Sequence, residues 1–452
     1  MKEKQNLGTG SVGKLMIQLA IPAIIAQLVN VLYNIVDRIF IGRMDNGEIA
    51  MAGVGVAFPI IILISAFSSL VGMGGAPLAA IKMGEDDTAG AEKIMSNCFT
   101  MLLVIAVILT VVFNIFKEPI LWAFGASDAT IGYALEYLNI YLIGTVAVQV
   151  ALGMNMFINT QGFAKIAMCT VMIGAGLNIV LDPIFIFGFD MGVQGAALAT
   201  IIAQFVSAIW ILVFLFGKKT KLKIRKEYIK PERRIVTSVC ALGISPFIMQ
   251  ATECLVIVVM NSSLLKYGGD MAVSVMTVMN SIMQIVLLPC MGLTQGAQPI
   301  ISYNYGAKKL DRVKSAFKLQ LIACMTFTTT MWAALMFFPA TFVHIFNSDA
   351  ELIAIGEWAI PIFFGGILMF GAQIACQQTF LSLGQAKISL ILALLRKVVL
   401  LVPLAYIIPL FFDTKADKLV GVFMAEPIAD VLAALTTITC FVYFYKKTLN
   451  TK

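Results

Sequence analysis

The chain is a succession of long apolar runs separated by short breaks that contain charged residues, Gly or Pro. A helix that crosses a bilayer needs about 20 consecutive apolar residues, and every run reaches that length. The pattern therefore predicts twelve membrane-spanning helices. Their expected bounds are 14–42, 49–82, 94–116, 131–160, 164–188, 192–217, 235–265, 271–305, 313–339, 353–383, 388–412 and 419–445.

One polar stretch, residues 218–234, divides the runs into two sets of six and carries many Lys and Arg against only Glu227 and Glu232. It predicts three regions: an N-terminal bundle at 1–217, a basic linker at 218–234 and a C-terminal bundle at 235–452. Lys and Arg are enriched in cytoplasmic loops of membrane proteins. We therefore expect the linker and both termini in the cytoplasm. The basic residues expected in the opposite loops are Arg43, Lys117, Lys266, Lys415 and Lys418.

The two halves of the chain also share a pattern at a constant separation of 222 residues. Six spans return the chain to its starting side, so repeats of six spans have the same orientation. The sequence predicts an all-α polytopic membrane protein with two pseudo-symmetric six-helix bundles. The matching pairs are Pro77 and Pro299, Gly84 and Gly306, Gly144 and Gly366, and Gly162 and Gly384.

Composition excludes several classes of protein. Hydrophobic residues make up 60% of the chain and charged residues 13%, and the mean hydropathy is +0.93. These values rule out a water-soluble enzyme, a nucleic-acid-binding module and a disordered chain. No cofactor is expected, because His344 is the only histidine and the eight cysteines are scattered without a CxxC pair.

No GxxxxGK[ST] phosphate loop occurs, so ATP hydrolysis is not expected to drive transport. A GxGxxG pattern at Gly8, Gly10 and Gly13 lies in a polar segment without a preceding strand, which argues against a nucleotide site. The energy must then come from an ion gradient or a partner. Acidic residues inside the spans are the first candidates for coupling, because charge is costly in hydrocarbon.

In the first half these acids are Asp37, next to Arg38, and Asp182. Asn178 precedes Asp182 by four residues, so the two share a helix face. Their depth, about 8 to 9 Å from the outer ends of their helices at 1.5 Å per residue, predicts one polar layer. Either a proton or Na⁺ could bind there. Alternatively, both acids could be structural, satisfied by Arg38, hydroxyls and amides. The predicted ion-coupling layer is Asp37, Tyr137, Asn178, Asp182 and Thr200, of which Asp37, Asn178, Asp182 and Thr200 could hold Na⁺.

The second half carries different charges inside its spans. We expect a structural ion pair between Arg396 and Asp430, which lie at similar depths. Lys397 is expected to snorkel. The sequence shows no partner for Glu253, which is either a secondary coupling or substrate residue or a hydrogen-bonded structural acid. Pro22 removes a helix hydrogen bond in the first span and is a hinge candidate, with a static kink as the alternative.

Several stretches together resemble the multidrug and toxic compound extrusion (MATE) family, and within it the DinF-like branch. They are IPAIIAQLVNVLYNIVDRIFIG in the first span, LNIVLDPIFIFG in the fifth, GVQGAALAT in the sixth and QGAQP in the eighth. The resemblance implies a drug or metabolite antiporter whose two bundles form a V-shaped cavity. It also implies that substrate leaves as cations enter.

The resemblance assigns roles residue by residue. It implies a cation site in the N-terminal bundle at the five residues of the predicted layer, and a bending proline at Pro22. Asn155 matches a further Asn of the fourth span and could contact substrate. Glu253 resembles an acid that another branch uses in the seventh span, but no Asp lies deep in the tenth span, so a complete second cation site is in doubt.

The sequence thus predicts a monomeric H⁺- or Na⁺-coupled antiporter of the inner membrane, not an enzyme, that exports drugs or amphipathic, often cationic, small molecules. Its partners would be the substrate and the lipid bilayer, without nucleic acid. A flippase for lipid-linked precursors or polysaccharide lipids is the alternative. A strongly basic cavity would favour this alternative. A membrane enzyme acting on polyprenyl substrates is a further alternative, although the outer loops are short.

Overall fold

A computed structural model describes residues 7–346 and 350–449. The predicted ends of the two bundles, residues 1–6 and 450–452, lie outside the described residues. Twelve helices are long and apolar enough to cross a membrane, which confirms the predicted count and the all-α class. In order, α1 to α12 are Val12–Gly42, Gly47–Gly84, Thr88–Ala123, Ile131–Thr160, Ala164–Gly188, Gly192–Phe216, Arg233–Gly269, Met271–Gly306, Leu310–Phe337, Ala350–Ser382, Ala386–Phe411 and Lys415–Leu449.

Most helices extend a few residues past the apolar runs, because polar side chains and backbone turns complete their ends. Asp87 precedes α3, and its carboxylate accepts a hydrogen bond from the Gly90 amide, which satisfies an otherwise unpaired helix N–H. The same bond holds the pKa of the Asp87 carboxyl below its usual range. A short helix, Pro339–Phe346, follows α9 where the sequence predicted only a connection.

The backbone repeats itself at the separation of 222 residues seen in the sequence. Asp86 and Lys308 turn the chain with φ of 59° and 58°, and Gly162 and Gly384 with φ of 89° and 70°. Each fourth helix of a bundle, α4 and α10, is interrupted by a 3₁₀ turn. These turns are Leu142–Gly144 and Phe364–Gly366.

The two halves pack closely at one end of the molecule. A Cβ atom added at Gly84 would overlap the carbonyl of Tyr303, and one added at Gly306 would overlap the carbonyl of Ile81. These two contacts are related by the repeat. Hydrogen bonds reinforce the seam, including Asn159 Nδ2 to the Gln295 carbonyl at 2.9 Å.

We call this the basic end, because residues 218–234 and the chain segments before α1 and α7 lie there. Contacts between the halves continue from this end to Phe67 on Phe247, with ring centroids 4.8 Å apart, and to Ser69 on Gln250 at 3.0 Å. Both lie near the middle of their helices. The side-chain contacts described between the halves thus lie between the basic end and the middle of the helices.

Residues 218–234, predicted as a polar linker, pack against the first half. Gln161 at the end of α4 accepts hydrogen bonds from the amides of Lys221 and Leu222 at 2.9 and 2.8 Å. Leu222 and Ile224 are buried, whereas Arg225 is exposed. Alternation of apolar and basic positions explains this, because one face of the segment can bury while the other stays hydrated.

Candidate functional site

The five residues of the predicted layer come from four helices of the first half and meet in one polar cluster. Asn178 is central: its Nδ2 donates to Asp182 Oδ1 and to Thr200 Oγ1, both at 3.2 Å. The Tyr137 side chain lies near Thr200. The four-residue spacing on α5 places Asn178 above Asp182 on one face, which the sequence predicted from helix geometry.

Asp37 on α1 and Asp182 on α5 bring their carboxyl groups together within hydrogen-bonding reach. Asp182 is fully buried. Three oxygens of the cluster have no hydrogen-bond partner among the described residues: Asp37 Oδ1, Asp182 Oδ2 and Asn178 Oδ1. Unpaired buried oxygens next to each other are unfavourable, and a proton or a hard cation would satisfy them.

Arg38 does not neutralise this pair directly. Its guanidinium stacks over the Phe58 ring at 5.1 Å, and its side chain is exposed. In the described part of the chain Arg38 forms no ion pair, which leaves the two acids without a basic partner in contact.

Two further tyrosines belong to the cluster, and the sequence reasoning missed both. Tyr33 interacts electrostatically with Asp37 and Asp182. Tyr141 stacks on Tyr137 with ring centroids 5.8 Å apart and lies near Tyr33. The sequence spacing could have indicated both tyrosines. Tyr33 precedes Asp37 by four residues and Tyr137 precedes Tyr141 by four, so each pair shares a helix face.

A cavity of about 150 Å³ extends from this cluster toward the basic end, between α1, α4, α5 and α6, with Gln295 of α8 at its boundary. Asn155, which the resemblance suggested as a substrate contact, lines the same cavity. Its Nδ2 donates to the Ala167 carbonyl at 3.2 Å, and its Oδ1 has no described partner. The other polar lining residues are Gln27, Asn30, Tyr33, Asn159, Thr170, Asn178, Thr200, Gln204 and Ser207.

The charges of the second half form an ion-pair network. Arg396 Nε contacts Asp430 Oδ1 at 2.7 Å, as the sequence predicted for this pair, and its Nη2 contacts Glu426 Oε1 at 3.1 Å. The sequence predicted that Lys397 would snorkel, and this prediction is wrong. Lys397 is buried and pairs with Glu253, the acid for which the sequence showed no partner.

Pro22 lies inside α1, which continues through it from Val12 to Gly42. The proline is buried, and close contacts with α8 lie on either side of it: Gly296 packs against Ala20, and Gly292 packs against Ile24. Helix α1 therefore touches the second half around Pro22 and carries Asp37 in the first half.

Known proteins resemble this chain over nearly its whole length. A family model described as MatE matches residues 22–184 and 246–407. The multidrug export protein MepA of Staphylococcus haemolyticus is 26% identical over 424 residues, which cover 94% of this chain and 92% of that protein.

Solved structures of transporters are also similar to this chain over its whole length. Two of them superpose with a TM-score of 0.91 at 25% identity, over 100% of this chain and 99% of theirs. One is an outward-facing conformation of a multidrug resistance MATE family transporter. The other is a MOP superfamily transporter from Pyrococcus furiosus, described as having a binding pocket of reverse polarity that suggests a different function.

Proposed function

Because the chain belongs to the MatE family of membrane transporters, we propose that it is a cation-coupled antiporter that exports drugs or amphipathic, often cationic, small molecules. The single observation that carries the coupling is the pair of Asp37, which is half-buried, and Asp182, which is buried; they face each other without a basic partner in contact. The multidrug export assigned by name to the MepA relative supports the substrate class.

The coupling cation would act on the position of α1. Two ionised carboxylates repel each other, whereas a shared proton or one Na⁺ holds them together. Asp37 lies on α1, and the same helix packs against α8 of the second half through Ala20 and Ile24. Cation binding would therefore bias α1, and with it the balance between states open to opposite sides.

The substrate would occupy the cavity below the acid pair. Amide and hydroxyl groups line it, together with Met156 and Met168, and none of the lining residues is Lys or Arg. Flexible Met side chains suit ligands of varied shape. A flippase of anionic lipid-linked precursors would require basic lining groups, so the cavity favours the antiporter over that alternative.

We place the basic end in the cytoplasm, with both termini, because the basic residues are concentrated there. In this orientation the described structure is closed toward the cytoplasm. We expect a monomer in the inner membrane that needs no cofactor besides the coupling ion, H⁺ or Na⁺. The N-terminal site would supply oxygen ligands from Asp37, Asn178, Asp182 and Thr200 if the ion is Na⁺.

The test is transport by purified protein in proteoliposomes, with proton and sodium gradients imposed separately. Asp37→Asn and Asp182→Asn should each lower gradient-driven drug transport at least about tenfold, because each removes a coupling carboxylate. Both variants should still insert. Asp190→Asn is the matched control: this exposed acid follows α5 and should tolerate the change. Normal transport by both cluster variants would refute the assignment.

A further inference from the structure

The segment before α1, residues 7–11, is bound to the second half of the molecule. Arg312 at the start of α9 binds it through three hydrogen bonds. Nη1 donates to the Gly10 carbonyl at 2.7 Å, and Nη2 donates to the carbonyls of Leu7 and Thr9 at 3.2 and 3.3 Å. Asn304 orients this guanidinium by accepting from Arg312 Nε at 3.0 Å.

Two more side chains complete the attachment. Asn304 Nδ2 donates to the Leu7 carbonyl at 3.0 Å, and Lys309 Nζ donates to the Gly8 carbonyl at 2.9 Å. Leu7 is 1% exposed and belongs to an apolar cluster formed largely by the second half, with Phe317 and Phe444 among its members. The segment is therefore held both by charge-assisted hydrogen bonds and by a buried anchor.

The conformation of Gly10 explains why a glycine stands at this position, without a nucleotide. Gly10 adopts φ of 81°, a left-handed conformation that favours glycine. This turn lets three carbonyls within four residues converge on one guanidinium, which offers five donors in a planar fork.

The repeat provides a second attachment of the same kind. Residues 229–232, which precede α7, lie 222 positions after residues 7–10. Asn97 of α3 donates to the Tyr228 carbonyl at 2.9 Å and accepts from the Glu232 amide at 2.6 Å. Thr100 of α3 donates to the Ile229 carbonyl at 2.7 Å.

The first helix of each half thus begins on the other half. Helix α9 holds the segment before α1, and α3, its equivalent in the repeat, holds the segment before α7. Both attachments lie at the basic end, on the side of the seam where the halves must part if that end is to open.

We propose that Arg312 is a positioning residue of a clasp, formed by residues 7–11 with Asn304, Lys309 and Arg312, that stabilises the state closed at the basic end. The clasp would have to release for that end to open, so Arg312 would set the equilibrium between the two states. The inference rests on the proposed alternating-access transport. The test nevertheless measures directly how often the basic end opens, and it needs no substrate.

The test uses Gln298→Cys as a reporter in the full chain, reconstituted in vesicles. Gln298 lies in the seam, where its Oε1 accepts from Thr160 Oγ1 at 3.2 Å. Labelling by a membrane-impermeant maleimide, located by peptide mass spectrometry, measures opening of the basic end. Adding Arg312→Gln should raise the labelling rate roughly fivefold, because several charge-assisted hydrogen bonds are lost from one state only.

Lys318→Gln is the matched control, because it removes one positive charge from an exposed position of the same helix. Its labelling rate should equal that of the reporter alone. Equal rates in the Arg312→Gln and Lys318→Gln backgrounds, whether raised or unchanged, would overturn the proposal.

If Arg312→Gln fails to fold, Lys309→Gln replaces it. This variant loses one hydrogen bond, to Gly8, and should raise labelling about twofold, whereas no rise would overturn the proposal. A clasp confirmed in this way, together with normal transport by the Asp37 and Asp182 variants, would leave the clasp standing while refuting the proposed coupling site.

Discussion

The fifth and sixth helices of the first half differ from their repeat equivalents, α11 and α12, at the positions where they face each other. Gly174 and Ala175 line the cavity of the first half, and the residues 222 positions later are Arg396 and Lys397. Gln204 also lines that cavity, and Glu426 stands in its place. Small or neutral residues in one half thus correspond to large charged residues in the other.

As a consequence, equivalent helices of the two halves pair their charges differently. In the first half, two acids meet without a base in contact and a cavity stays open beside them. In the second half, Arg396 is held between Asp430 and Glu426 and stacks over Phe370 at 4.8 Å. The repeat preserves turns and helix contacts, whereas charge has diverged, and unneutralised charge in the membrane marks the half proposed to do the coupling.

The largest effect is expected from Arg396→Met. It leaves Glu426 and Asp430 buried together without a counter-charge, which should cost about 3 to 5 kcal/mol of stability. Thermal unfolding in detergent measures the loss. Combining the change with Glu426→Gln and Asp430→Asn removes the unpaired charges and should recover most of it. An equal loss in the single and triple variants would mean that packing on Phe370, rather than charge, is responsible.

A smaller effect, on transport, is expected when the charge of the second half is introduced into the first. Ala175→Lys places a tethered cation in the cavity, near Asn178 and the acid pair. It should compete with the coupling ion and lower transport about tenfold. Ala175→Leu adds comparable bulk without charge and is the control. If both variants transport equally poorly, cavity volume rather than charge distinguishes the halves.

The smallest effect is expected from Lys397→Gln. Its partner Glu253 is half-exposed, so the acid left behind can remain hydrated, and the loss of stability should be about 1 kcal/mol or less. Transport should persist, because the proposed coupling site lies in the other half. A loss of transport at unchanged stability would contradict this division of roles and return Glu253 to the list of coupling residues.

Much of this architecture could be predicted because its signals are local or periodic. Apolar length gave the twelve helices, and a constant separation gave the repeat. Four-residue spacing placed Asn178 beside Asp182 on one face. Tyr33 carried the same kind of signal relative to Asp37, but aromatic residues are common in apolar helices and the spacing alone did not single it out.

Other contacts could not be predicted, because they depend on how the helices are rotated and which helices adjoin. Lys397 was expected to reach the membrane surface, yet α7 lies against α11 and brings Glu253 to it. Spacing gave Gly10 no role, because its partner Arg312 lies some 300 residues away in the chain.

The sequence by itself determined the membrane class, the number of helices, the pseudo-symmetry and the acids that stand out from an apolar chain, since each follows from composition or spacing. Only the tertiary structure decided which charges neutralise each other, that Asp37 and Asp182 meet, and that each half anchors the first helix of the other. Those outcomes depend on distances of a few ångströms between helices far apart in sequence. One-dimensional spacing does not specify such distances.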